Sequence, residues 1–127
     1  MPQQLRIYHY INIDSSKVPF HFEVPDVATA IRALSALALY DLFLGEGESY
    51  EALTTVGARR EKRRKLAGRD HLLSKMFREY DAYQLQQCPG GVPIVTSNVQ
   101  GCETLEDGEW IEFYDEEGCD IRELAET

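Results

Sequence analysis

The chain has 127 residues, 43 % of them hydrophobic and 28 % charged, with seven Tyr, five Phe and a formal net charge of −9 from 22 acidic and 13 basic side chains. That length suits one domain, because a second compact core would need about 100 more residues, and the aromatic content excludes a disordered chain. The longest mostly apolar run, IRALSALALYDLFL, contains Arg32 and Asp41 and falls short of the about 20 residues that span a bilayer, so no membrane contact is expected.

The N-terminal stretch MPQQLRIYHYINID lacks the basic start and unbroken apolar run of a secretory signal, which gives the expectation of a cytoplasmic protein. It alternates instead. Leu5, Ile7, His9, Ile11 and Ile13 point one way and Arg6, Tyr8, Tyr10, Asn12 and Asp14 the other, the period of a strand whose first set faces the core. DSSK at 14–17 supplies a turn, and Val18, Phe20, Phe22 and Val24 then alternate with Pro19, His21 and Glu23 as a second strand. PDVATAIRALSALALYDLFLGEG reads as a helix with Asp26 as N-cap and Gly45 near its end. Its stripe Val27, Ile31, Leu34, Ala38 and Leu42 would lie on the hairpin.

From 46 to 87 the composition turns charged and helix-forming, divided by Gly57 and Gly68. Asp70 caps a helix over 70–86 whose apolar face is Leu72, Leu73, Met76, Phe77 and Tyr80. CPGGVP at 88–93 is a loop and IVTSNV at 94–99 has strand composition. Asp107-Gly108 is a two-residue hairpin turn, DEEG at 115–118 a second turn, and Ile111 and Phe113 are expected to face inward in preference to Trp110, Glu112 and Tyr114. The expected fold is α+β, an antiparallel sheet of four to five strands with helices on one face, in the order ββα, a basic helical insertion at 46–87, then ββ(β).

Chemistry is sparse. His9, His21 and His71 are scattered, no HExxH, GxSxG, P-loop or GxGxxG is present, and DEEGCD at 115–120 lacks the ligand spacing of an EF-hand. Cys88, Cys102 and Cys119 form no CxxC pair and are expected as reduced thiols, with a Cys102–Cys119 bridge the lesser alternative. No catalytic residue, metal or cofactor is therefore expected.

The charge map carries more. Residues 59–78 hold nine basic and two acidic side chains, whereas 103–127 hold eleven carboxylates and one Arg. The basic patch is Arg59, Arg60, Lys62, Arg63, Arg64, Lys65 and Arg69. In a helix Arg59 and Arg63, and Arg60 and Arg64, are like-charged i,i+4 pairs, each costing a few tenths of a kcal/mol, so something anionic should offset them. That something is the chain's own acidic region, a second copy, or a phosphate backbone. The acidic region supplies a second candidate surface, Glu106, Asp107, Glu109, Trp110, Glu112, Tyr114, Asp115, Glu116 and Glu117, where carboxylates interleave with the aromatic anchors that interfaces favour.

Two short strands followed by ALSALALYDLFL, and later SNVQGCETLEDGEWIEFYDEEGCDI, resemble small acidic proteins encoded by bacteriophages and prophages, over about half the chain. The resemblance implies an accessory protein of a mobile element, of a kind that binds and blocks bacterial defence machinery, CRISPR effectors included. The dense carboxylates either keep the protein soluble or imitate the charge row of nucleic acid, and with no catalytic constellation the reading is a non-enzymatic inhibitor. Two other readings stand beside it: a nucleic-acid-binding regulator using 59–78, and a self-associating structural protein, such as a homodimer, in which the basic helix of one copy meets the acidic hairpin of another.

Overall fold

A computed structural model describes residues 4–10, 19–45, 56–87 and 100–125, without the side chains of 41–45, 56–59, 84, 85 and 87. Four strands, β1 (Leu5–His9), β2 (Phe20–Val24), β3 (Gln100–Glu106) and β4 (Glu109–Glu112), form one antiparallel sheet in the order β2-β1-β3-β4. The helices are α1 (Val27–Gly45), α2 (Val56–Ala67), α3 (His71–Gln87) and α4 (Ile121–Ala125). The fold is thus α+β, as the alternation in the first two strands and the helical stretches anticipate.

Alternation decides which face of the sheet is buried. Leu5, Ile7 and His9 of β1 and Phe20, Phe22 and Val24 of β2 are buried, and the register aligns Ile7 with both Phe22 and Cys102 and Leu5 with both Val24 and Thr104. Against this face pack α1, over β1, β2 and β3, then α3 beside β2 and α4 beside β3. Helix α2 packs on α1 and α3 and touches no described strand, so it forms an outer layer. The core is one cluster to which every described element except β4 contributes. Helix α3 supplies Leu73, Met76, Phe77 and Tyr80, which makes it integral to that core.

Caps and turns fix the helix ends. The Asp26 Oδ1 accepts the Thr29 N–H at 2.7 Å, and hydrogen bonds from Thr29 hold its carboxyl below the usual carboxylate range. Gly68, at φ +58°, ends α2 with its N–H on the Arg64 carbonyl at 3.0 Å. Two residues on, Asp70 Oδ1 accepts the N–H groups of Leu72 at 3.0 Å and Leu73 at 3.3 Å and so starts α3. The Asp107-Gly108 hairpin has φ +52° and +82°, the paired left-handed conformations of a type I′ turn.

Two expectations shift. The buried side of α1 runs through Ala30, Ala33, Leu34, Leu37 and Tyr40, whereas Val27, Ile31 and Ala38 are only half-buried. The helix is enclosed by the sheet on one side and by α2 and α3 on others, and its small alanines let both neighbours approach, so a single stripe understates its burial. Ile111 stands opposite the inward-facing Thr104 and yet is 41 % exposed, because no described helix packs on the edge strand β4; Phe113, beyond the strand, is buried. The strand expected at 94–99, the turn at 14–17 and the loop at 88–93 lie outside the described residues, and the strand that pairs with β1 begins at Gln100.

Candidate interaction surfaces

The face of the sheet turned away from the helices carries Arg6 and Tyr8 from β1, His21 from β2, Gly101 and Glu103 from β3, and Trp110 and Glu112 from β4. Here the side chains are tied across strands. Arg6 Nε donates to Glu103 Oε1 at 2.9 Å, and its guanidinium carbon lies 4.3 Å from the centre of the Trp110 ring. His21 Nε2 approaches the same Glu103 oxygen at 3.6 Å, but burial and the Arg6 charge lower its pKa against the pull of Glu103. That contact therefore joins a neutral imidazole to a carboxylate at neutral pH. Tyr8 lies directly opposite Gly101, and its hydroxyl reaches over that glycine to donate to Glu112 Oε2 at 2.8 Å. A Cβ at position 101 would overlap the Tyr8 ring, so the glycine makes room for the phenol.

Burial and the hydrogen bond to Glu112 push the Tyr8 phenol up, away from ionisation. Burial pushes the Cys102 thiol up to about 12, with the charges of Glu112 and Glu103 adding to it. Burial likewise raises Glu112, assisted by Glu103 and Asp120 and opposed by the Tyr8 hydroxyl. Cys102 and Cys119 are free thiols. Cys88 lies outside the described residues.

The acidic end is built from the β3–β4 hairpin and the turn that follows. Glu106, Asp107, Glu109, Glu116, Glu117 and Tyr114 are exposed, Tyr114 by 58 %, and those five carboxylates make no ion pair among the described residues. The other three members of the anticipated surface are turned to internal work. Trp110 lies under Arg6 and Glu112 accepts from Tyr8. Asp115 Oδ1 accepts the N–H groups of Glu117 at 2.9 Å and Cys119 at 2.7 Å. Asp115, Glu117 and Cys119 offer ligand atoms within 4.8 Å of one another. Because that Asp115 oxygen is already taken by the turn and the Cys119 thiol is pushed up by partial burial and the charges of Asp115, Glu123 and Glu117, the cluster serves the turn.

The basic patch divides as well. Arg63 pairs with Asp81 of α3, and Asp81 Oδ1 also accepts the buried Tyr40 hydroxyl at 3.1 Å, so one carboxylate ties α1, α2 and α3 together. Lys65 stands 3.7 Å from Glu61 in a solvated i,i+4 contact, and Lys62 is half-buried. Arg60, Arg64 and Arg69, with Lys75 and Arg78 of α3, are exposed and make no ion pair among the described residues. Arg59 stands in the first turn of α2, with its side chain outside the description. Among the described side chains no acidic hairpin residue pairs with α2, and the described β3, β4 and α4 touch neither α2 nor α3.

Sequence reasoning missed the cross-strand network on the outer sheet face. Alternation places Arg6 and Tyr8 together on the non-core side, but their partners lie 97 and 104 residues away, and no local pattern encodes that pairing. Among the described residues no helix is long and apolar enough to cross a membrane. Comparison with protein-family models, curated proteins and solved structures finds no match to the chain.

Proposed function

We propose that the protein is a non-enzymatic accessory protein of a mobile element that binds a basic, nucleic-acid-handling surface of a bacterial defence complex through its acidic end. The observation that carries this reading is the set Glu106, Asp107, Glu109, Glu116 and Glu117, exposed and without an ion pair among the described residues, beside the exposed Tyr114. Uncompensated carboxylates on a hairpin and its following turn repel one another. A cationic surface relieves that repulsion and accelerates encounter. Tyr114 and the half-exposed Ile111 add apolar contact of the kind that concentrates binding energy. The resemblance of the Asp-Gly-Glu-Trp hairpin region to small acidic phage proteins points to the same class of partner.

The test is co-elution with purified CRISPR-type effector complexes at 50 and 500 mM salt, followed by competition against a labelled target duplex. A complex that forms at low salt, weakens at high salt, releases the duplex and is lost in E106Q/D107N/E109Q/E116Q/E117Q supports the reading. Asn tolerates the left-handed conformation at 107, so that variant keeps its turn. Absence of co-elution at low salt across such complexes, or binding indifferent to the five substitutions, contradicts it.

A further inference from the structure

We infer that the α2–α3 pair is a second, independent contact surface, and that its partner is the phosphate backbone of double-stranded DNA. Its exposed cations are Arg60 and Arg64 on α2, Arg69 in the turn, and Lys75 and Arg78 on α3. Arg60 and Arg64 stand one helical turn apart on the same face, where like charges about 5–6 Å apart oppose the helix unless an anion lies over them. Of the carboxylates on these two helices and their turn, Asp81 holds Arg63, Asp70 caps α3 and lies 3.4 Å from Arg32, and Glu79, four residues after Lys75, is exposed and makes no ion pair among the described residues, so the exposed cations outnumber the free carboxylates. Glu61 faces Lys65.

Phosphate, duplex and DNA follow from what the surface offers. Among the described residues of 60–83 no Trp, Tyr or Phe is exposed: Phe77 and Tyr80 are buried, Tyr83 is half-buried, and His71 is the one exposed ring, a poor platform for the successive bases of a single strand. The same exposed set holds no hydroxyl or amide side chain, and its carboxylates Glu61 and Glu79, which could accept from a ribose 2′-hydroxyl, would be repelled by the adjoining phosphates, so the set favours DNA over RNA. Cations alone contact the backbone of a duplex, which displays one charge per about 1.7 Å of axis.

The net charge of −9 does not forbid this contact. Helix α2 touches no described strand, and a helix layer about 10 Å thick separates it from the sheet. At 0.15 M salt the screening length is about 8 Å, so the carboxylates of the hairpin are damped where a duplex would approach α2.

Fluorescence anisotropy of a labelled 20-base-pair DNA duplex, titrated with the full chain from 20 to 200 mM salt, tests the inference. Five phosphate contacts predict a slope of log affinity against log salt of about −4.5, at about −0.9 per contact, with dissociation constants of about 10⁻⁴ to 10⁻⁶ M at physiological salt. R60Q/R64Q/R69Q should weaken binding at least tenfold at 20 mM salt while the melting temperature is kept, and K75Q/R78Q should do the same from the other helix. The five-carboxylate hairpin variant should bind DNA as well as the unaltered chain or better, which separates this surface from the one proposed above. No anisotropy change at 20 mM salt overturns the inference, as does a slope near zero, binding indifferent to both sets of substitutions, or preference for single-stranded DNA, an RNA duplex or phosphatidylserine vesicles.

Discussion

Tyr8 and Gly101 show how one side chain dictates the residue opposite it. Glycine in a strand interior costs about 0.5–1 kcal/mol relative to alanine, so its use at 101 needs a compensating gain. The Tyr8 ring lying across it, with the hydroxyl on Glu112, supplies one. Gly101→Ala should therefore destabilise the protein by about 1 kcal/mol, because the phenol must leave Glu112. In a Tyr8→Ala background the same change should be neutral or stabilising, since the clash is gone and only the backbone preference is left. Denaturant melts of the four proteins measure that coupling; a Gly101→Ala effect identical in both backgrounds refutes the pairing. Glu112 gives a pH signature. Its folded-state pKa is raised above the ordinary carboxyl value of 4.5, so as pH falls the folded state takes up a proton before the unfolded state does. The sign follows: this group stabilises the fold as pH falls toward 4.5 and burdens it above its raised pKa. Glu112→Gln, whose amide oxygen still accepts from Tyr8, should raise the melting temperature at pH 7, with the difference vanishing near pH 4. A difference constant across that range contradicts the burial cause.

At the scale of elements, among the described side chains of α2, Ala67 is buried and Leu66 packs partly against the core, while the exposed face is mostly cationic. The Arg63–Asp81 pair, with Tyr40 on the same carboxylate, is a polar link that holds the helix. Asp81→Ala removes a carboxylate that a buried hydroxyl and a largely covered guanidinium share and should cost about 2–3 kcal/mol, more than a surface ion pair would. Hydrogen exchange of α2 amides should speed up in that variant, while amides of β1 and β3 keep their protection. Uniform acceleration throughout the chain would contradict the local role. The elements themselves were legible wherever the signal is local: Asp26 and Asp70 as caps, Asp107-Gly108 as a hairpin turn, the period-2 pattern of β1. Two things were not. Which carboxylate engages Arg63 depends on packing between helices, and which residues cover Tyr8 and Arg6 depends on strands about 100 residues apart. The expected stripe of α1 was incomplete for a related reason: Leu34 is in the core and Val27 and Ile31 pack against it, but periodicity describes one buried side and this helix has several.

For the whole molecule, charge is distributed by layer. The acidic hairpin and its turn belong to the sheet and its β4 side, whereas Arg60, Arg64, Arg69, Lys75 and Arg78 sit on α2, α3 and the turn between them, and those helices touch neither β3, β4 nor α4; Arg32 on α1 and Arg122 on α4 are exposed outside that group. Seven basic residues within 58–69 made one pole visible in the sequence, and eleven carboxylates within 103–127 the other. Their separation in space was not visible, because a basic helix folded against an acidic hairpin would have had the same composition. The structure decides between those arrangements: Asp81 and Asp70 supply carboxylates that α1, α2 and α3 use, and Glu106, Asp107, Glu109, Glu116 and Glu117 make no ion pair among the described residues. Amide chemical-shift mapping tests that separation most directly, with decalysine and a short DNA duplex titrated in parallel into the labelled protein. The account predicts that decalysine moves amides between Glu106 and Glu117 and leaves 60–78 in place, and that the duplex does the reverse. Both probes perturbing the same residues, or neither perturbing its expected pole, would contradict it.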